Sequence, residues 1–117
     1  MILVVEDERR LRQLAVETLT ELGYAVLAAG SAKEALDLID KHPEISLLFT
    51  DIVMPDMGGD KLADEAIKRR PNLRVLYTTG FARNAVVHDG VLDAGVDFIA
   101  KPFVMDELAE KIHHILI

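Results

Sequence analysis

The feature that most limits what this chain can fold into is an alternation repeated along its length. Short, continuous apolar runs are separated by segments with helical spacing. ILVV at 2–5 is the first run, followed by AVLAA at 25–29, ISLLFT at 45–50, RVLYT at 74–78 and VDFIA at 96–100. They read as strands buried on both faces, because a strand with one wet face would alternate apolar and polar residues. After the first run, Leu11, Leu14, Ala15, Thr18, Leu19 and Leu22 recur at the spacing of a helix face, and Gly23 follows as a C-terminal cap. Ser31 and Glu34 form a capping-box pair ahead of Ala35, Leu36 and Ile39. Leu62, Ala63, Ala66 and Ile67 make a third helix that stops before Pro71. Residues 83–94 carry the weakest helical pattern, since Gly90 inside it costs about 1 kcal/mol against Ala. Leu108, Ile112 and Ile115 mark the last helix. Such a series predicts an α/β fold, a doubly wound parallel five-stranded sheet with helices on both faces. With 117 residues and no linker or repeat, the expectation is one domain over 1–117.

Composition narrows the function. The chain has 13 Lys plus Arg against 20 Asp plus Glu, a net charge of −7, which argues against binding a nucleic-acid backbone. The same balance suits a cation site or a basic protein partner. The apolar runs are far shorter than the roughly 20 residues of a membrane span, and the start has no basic segment of a signal peptide. The chain has no cysteine, which fits a reducing compartment such as the cytoplasm.

In open parallel sheets, ligands bind outside the carboxyl ends of the strands, at a switch in strand order. The first run ends in Glu6, Asp7 and Glu8, the third in Asp51, the fourth in Thr78, Thr79 and Gly80, the fifth in Lys101 and Pro102. Each residue has a plain structural reading. Glu8 reads as a helix cap, Asp7 serves equally well as a cap or a ligand, Lys101 suits a solvated surface and Thr79 a turn. Gathered at one edge, they suit a single job. Two or more carboxylates held together call for a cation, and an oxygen-only donor set with open water positions suits Mg²⁺ better than zinc. A carboxylate is also a nucleophile towards phosphorus. Asp51 then accepts the phosphoryl group, Glu6 and Asp7 hold the metal, and Thr79 and Lys101 meet the phosphoryl oxygens.

VVEDE at the first strand, LLFTDIVMPDMGG at the third, YTTG at the fourth and KPF after the fifth together resemble the receiver domain of two-component response regulators. The resemblance spans the whole chain. It implies a flavodoxin-like (βα)₅ fold with strand order 2-1-3-4-5, the order that receivers exemplify. It implies that Asp51 is the phosphoacceptor, that Mg²⁺ or Mn²⁺ is held by Glu6, Asp7, Asp51 and the backbone carbonyl of Val53, and that Lys101 binds phosphate. Glu6, with its longer arm, would act through a metal-bound water. Thr79 would be the switch hydroxyl, and Lys101–Pro102 a candidate cis bond. Phe98 stands where the family has its switch aromatic, often tyrosine, and reads equally well as a core residue. The implied donor is a sensor histidine kinase or its phosphohistidine domain. The surface of the fourth helix, fifth strand and fifth helix would carry the output and any homodimer. The implied role is signalling; the only catalysis is the domain's own phosphorylation and dephosphorylation.

TTGFARNAVVHDGVLDAGVDFIAKPF is most similar to receivers attached to hybrid sensor histidine kinases, so an excised domain is expected, with a free-standing regulator as the rival. A dinucleotide or flavin binder would need a glycine-rich loop where VVEDERRL stands. A phosphatase with an aspartate nucleophile would need an acid in place of Val53. A degenerate receiver acting only as a protein-binding module is the remaining alternative. His42, His88, His113 and His114 lack metal-ligand spacing and read as solvent-facing. Val53 and Phe81, each two positions past a site residue, are apolar and would leave the phosphorylated form long-lived.

Overall fold

The computed structural model describes residues 1–52, 54, 57–79, 97–100 and 105–116; of Thr79, Asp97, Phe98, Ala100 and Met105 it describes the backbone. In chain order the elements are β1 (Ile2–Val5), α1 (Arg9–Glu21), β2 (Val26–Ala29), α2 (Ala32–Lys41), β3 (Leu47–Asp51), α3 (Gly59–Arg69), β4 (Arg74–Thr79), β5 (Asp97–Ala100) and a C-terminal helix (Met105–Leu116). The five strands form one sheet in the order β2-β1-β3-β4-β5, parallel throughout. Fold class and strand order are those expected. The helix expected at 83–94 lies outside the described residues, as do Gly80, Phe81, Gly90, Lys101, Pro102 and Val53.

The sheet has two wet-excluded faces because neighbouring strand residues point opposite ways. Leu3, Val5, Leu48 and Tyr77 pack with Ala35 and Ile39 of α2 and Leu62 and Ala66 of α3. Ile2, Val4, Leu47, Phe49, Leu76 and Ile99 pack with Ala15 and Leu19 of α1 and Leu108 and Ile112 of the C-terminal helix. Burial pushes the Tyr77 phenol up to about 12, and the nearby charges of Asp64 and Asp60 add to it. Two residues assigned to helix faces end elsewhere: Leu14 is 56% and Ile67 41% exposed. Each neighbours a buried alanine, Ala15 or Ala66, and one residue along a helix turns roughly 100° away from the sheet.

Helix ends explain the short connections. Gly23 adopts a φ of +97°, and Tyr24 N–H donates to Leu19 O at 3.2 Å, which closes α1 as a Schellman turn. The last carbonyls of α2 are met from a distance in sequence: the Arg70 guanidinium donates to the carbonyls of Ile39, His42, Pro43 and Ile45.

Candidate functional site

Chain order and space diverge most between β1 and β3. The chain leaves β1 outward to β2, then crosses back to β3 on the other side of β1, so a crevice opens at the carboxyl ends of β1 and β3. In the register of the pair, Val5 lies beside Thr50. One step further, Glu6 comes level with Asp51. The strand alternation puts both on the face of Val4 and Phe49. Glu6 continues the ladder by donating its N–H to Ala29 O at 3.1 Å. Glu6 and Asp51 are 5% and 7% exposed, while Asp7, just past the sheet edge, is exposed. One carboxylate oxygen from each of the three falls within 4.8 Å of the others.

Three carboxylates this close repel, and two of them have little water to screen them. The donor set is all oxygen, part buried and part open to solvent, and it suits a hard divalent cation that keeps several waters. The residues present therefore fit Mg²⁺ or Mn²⁺.

Close packing keeps Asp51 where it is. Ile52 N–H donates to Thr78 O at 3.0 Å and Gly59 N–H to Ile52 O at 2.7 Å. α3 thus begins directly against the strand end, and a Cβ at Gly59 would overlap the Asp51 carbonyl. Thr50, fully buried, donates its hydroxyl to Asp51 O at 3.0 Å. Thr78 is the cross-strand neighbour of Asp51. Its hydroxyl, on a residue 5% exposed, has no hydrogen-bond partner among the described residues.

The other expected residues divide clearly. Thr79 ends β4 in register with Ala100, the residue before Lys101, so the backbone brings the fourth and fifth strand ends together; the Thr79 side chain and Lys101 lie outside the described residues. Phe98 is in register with Tyr77, its side chain likewise outside. Asp7 precedes the N-cap position of α1 and is not its cap; that position belongs to Glu8, whose side chain makes no cap bond. Instead Glu8 N–H donates to Glu6 Oε2 at 3.2 Å. His42 hydrogen-bonds Glu44 at 2.8 Å, and this bond holds the Glu44 carboxyl below the usual carboxylate range. His113 and His114 are exposed. The residue that sequence reasoning missed is Arg12, whose Nη1 donates to Glu6 O at 2.9 Å. A basic residue one turn into a helix that follows an acidic pair was the available signal.

The sequence matches the response regulator receiver domain over residues 2–113. The chain belongs to the response regulator receiver family. The receiver is 35% identical over 116 residues to the response regulator receiver protein CpdR of Brucella abortus, covering 99% of this chain and 96% of that protein. It is 34% identical to the sensor kinase CckA of the same organism over 98% of this chain, but it spans only 12% of that kinase. Among solved structures, TrrA of Thermotoga maritima, crystallised with Mg²⁺ and BeF, superposes with a TM-score of 0.85 at 32% identity, over 97% of this chain and 96% of that one. The acidic pocket of Glu6, Asp7 and Asp51 is of the kind receivers use as a phosphoacceptor site, and the receiver is a signalling domain of a two-component system. Among the described residues no helix is long and apolar enough to cross a membrane.

Proposed function

We propose that this receiver takes a phosphoryl group from a phosphohistidine donor onto Asp51, and that the new charge reshapes a partner-binding surface. The observation that carries the reading is the convergence of Glu6, Asp7 and Asp51 within 4.8 Å, with Asp51 at the last position of a buried strand. An Asp51 carboxylate oxygen attacks phosphorus. The phosphorus–nitrogen bond of the donor breaks, its electron pair stays on the imidazole nitrogen, and that nitrogen takes a proton from water. The product is an acyl phosphate on Asp51.

Glu6, Asp7, Asp51 and the Val53 carbonyl would hold the divalent ion, which supplies neutralisation of the phosphoryl oxygens. Thr79 and Lys101 meet the remaining oxygens as hydroxyl and ammonium donors. Since Thr79 lies in register with Ala100, the two donors come from neighbouring strand ends. Thr79 moves towards the phosphoryl group, Phe98 follows, and residues 82–104 change conformation; the charge can shift that balance only through its different interaction with the two states. The donor is a histidine kinase or a phosphohistidine domain, and the receiver, residues 1–117 acting as one unit, catalyses its own phosphorylation and dephosphorylation.

Intact-mass measurement tests this. Acetyl phosphate with Mg²⁺ should add one phosphoryl mass, and Asp51→Asn or EDTA should prevent it. An unchanged mass in the unsubstituted receiver would refute the reading and leave a protein-binding module.

A further inference from the structure

The carboxylates of Glu6 and Asp7 sit on the short link between β1 and α1, residues 6–8. A link that carries two acids and faces a third needs something to hold it, because the charges push it open. Two backbone bonds anchor it, Glu6 N–H to Ala29 O at 3.1 Å and Arg12 N–H to Glu8 O at 2.9 Å, and Glu8 N–H donates to the Glu6 carboxylate, Oε2, at 3.2 Å. The Glu6 carbonyl is anchored by a side chain, Nη1 of Arg12 at 2.9 Å.

That guanidinium rests on Gly30. A Cβ at position 30 would come within 2.8 Å of Arg12 Nη1 and 3.5 Å of its Cζ. Among the described glycines only Gly23 has a positive φ, so Gly30 is not there for a left-handed turn. What position 30 provides is space. Gly30 is itself tied to the first turn of α2, its N–H donating to Glu34 Oε1 at 2.7 Å.

We infer that Arg12, seated on Gly30, is a positioning residue for the divalent-cation site: it holds the Glu6 carbonyl and so sets the geometry of the Glu6–Asp7 link. The inference rests on the proposed reading of Glu6, Asp7 and Asp51 as metal ligands. Charge and position make opposite demands here, which gives the test its sign. As a bare cation, Arg12 repels Mg²⁺, and its removal should tighten binding. As a positioning residue, its removal should weaken binding, on the order of tenfold for an outer-shell partner of metal ligands.

Mg²⁺ affinity measured by calorimetry on the whole chain, with urea unfolding alongside, separates the two. Arg12→Ala should weaken Mg²⁺ binding. Gly30→Ala keeps the charge but displaces the flexible guanidinium, and it should weaken binding by a similar factor. The double variant should be little worse than either single one, and Arg12→Lys should recover part of the affinity. Unchanged or tighter Mg²⁺ binding in both single variants would overturn the inference, as would factors that multiply in the double variant. Absence of Mg²⁺ binding to the unsubstituted chain would instead overturn the metal-site reading on which it stands.

Discussion

At the start of α2, Ser31 Oγ accepts from Glu34 N–H at 3.2 Å, and the Glu34 carboxylate reaches back to Gly30 N–H at 2.7 Å. An acid lies in the first turn and Lys41 in the last, so charges and caps all favour the helix. At the start of α1 none of this holds. Glu8 makes no side-chain cap bond, and the first turn holds no acid but begins with Arg9 and Arg10, on the unfavourable side of the helix dipole. α3 also starts without a side-chain cap, at Gly58. The difference follows the chemistry. α2 begins beyond β2, at the sheet edge away from β3, while α1 and α3 begin at the carboxyl ends of β1 and β3, where the acids gather. Local rules are followed where nothing else is asked of the chain and set aside where the site needs the space.

The comparison can be broken by substitution, and the largest effect should come from the site side. Gly59→Ala forces a Cβ into the Asp51 carbonyl; urea unfolding should show a loss of about 3 kcal/mol, at the upper end of overpacking costs. A loss under about 0.5 kcal/mol, no more than an ordinary surface change, would mean that α3 does not need its close approach to β3.

Ser31→Ala should cost about 1 kcal/mol and leave acetyl phosphate uptake unchanged, since it removes a cap and no site contact. Thr78→Val should go the other way. Removing a buried hydroxyl that has no partner among the described residues from beside Asp51 should raise stability by about 1 kcal/mol. A loss of that size on thermal or urea unfolding would show that the hydroxyl has a partner. Glu8→Ala, at the N-cap position of α1, should stay within about 0.5 kcal/mol of the unsubstituted chain. An effect as large as that of Ser31→Ala would erase the contrast between the two helix starts.

Stability at high pH sharpens the picture on the α2–α3 face. The free phenol titrates at 10.0 and the folded Tyr77 at about 12. Between those values the unfolded chain binds fewer protons, so stability falls as pH rises through that window and is unaffected by Tyr77 below it. Tyr77→Phe should flatten that part of the unfolding profile; an identical slope in both proteins would contradict the assignment.

How much could be read from the sequence follows the same division. The strands were legible because residues such as Ile2 to Val5 are apolar without interruption, and burial on both faces permits nothing else. The cap of α2 was legible because it is local, although Glu34 reaches Gly30 where a capping box would end at Ser31. Asp51, Glu6 and Asp7 were legible because each follows or ends an apolar strand, and the strand order that the receiver resemblance implies sets the first and third strands side by side. What stayed hidden depends on contacts between distant segments. Arg70 closing α2 leaves no local pattern, whereas Arg12 holding Glu6 O showed only as a basic residue one turn into the helix after an acidic pair. Leu14 looked like part of an apolar stripe, because composition cannot show which side of a helix meets the sheet.

The central claim is that Asp51 is the acceptor. Acyl phosphates are reduced by borohydride to the alcohol, so an aspartyl phosphate becomes homoserine and its position can be read by peptide mass mapping. After treatment with acetyl phosphate and Mg²⁺, the peptide containing residues 47–52 should carry homoserine at position 51, and the peptides containing Glu6 and Asp7 should be unchanged. Homoserine at another aspartate, or none at position 51 when the intact mass shows a phosphoryl group, would contradict the account.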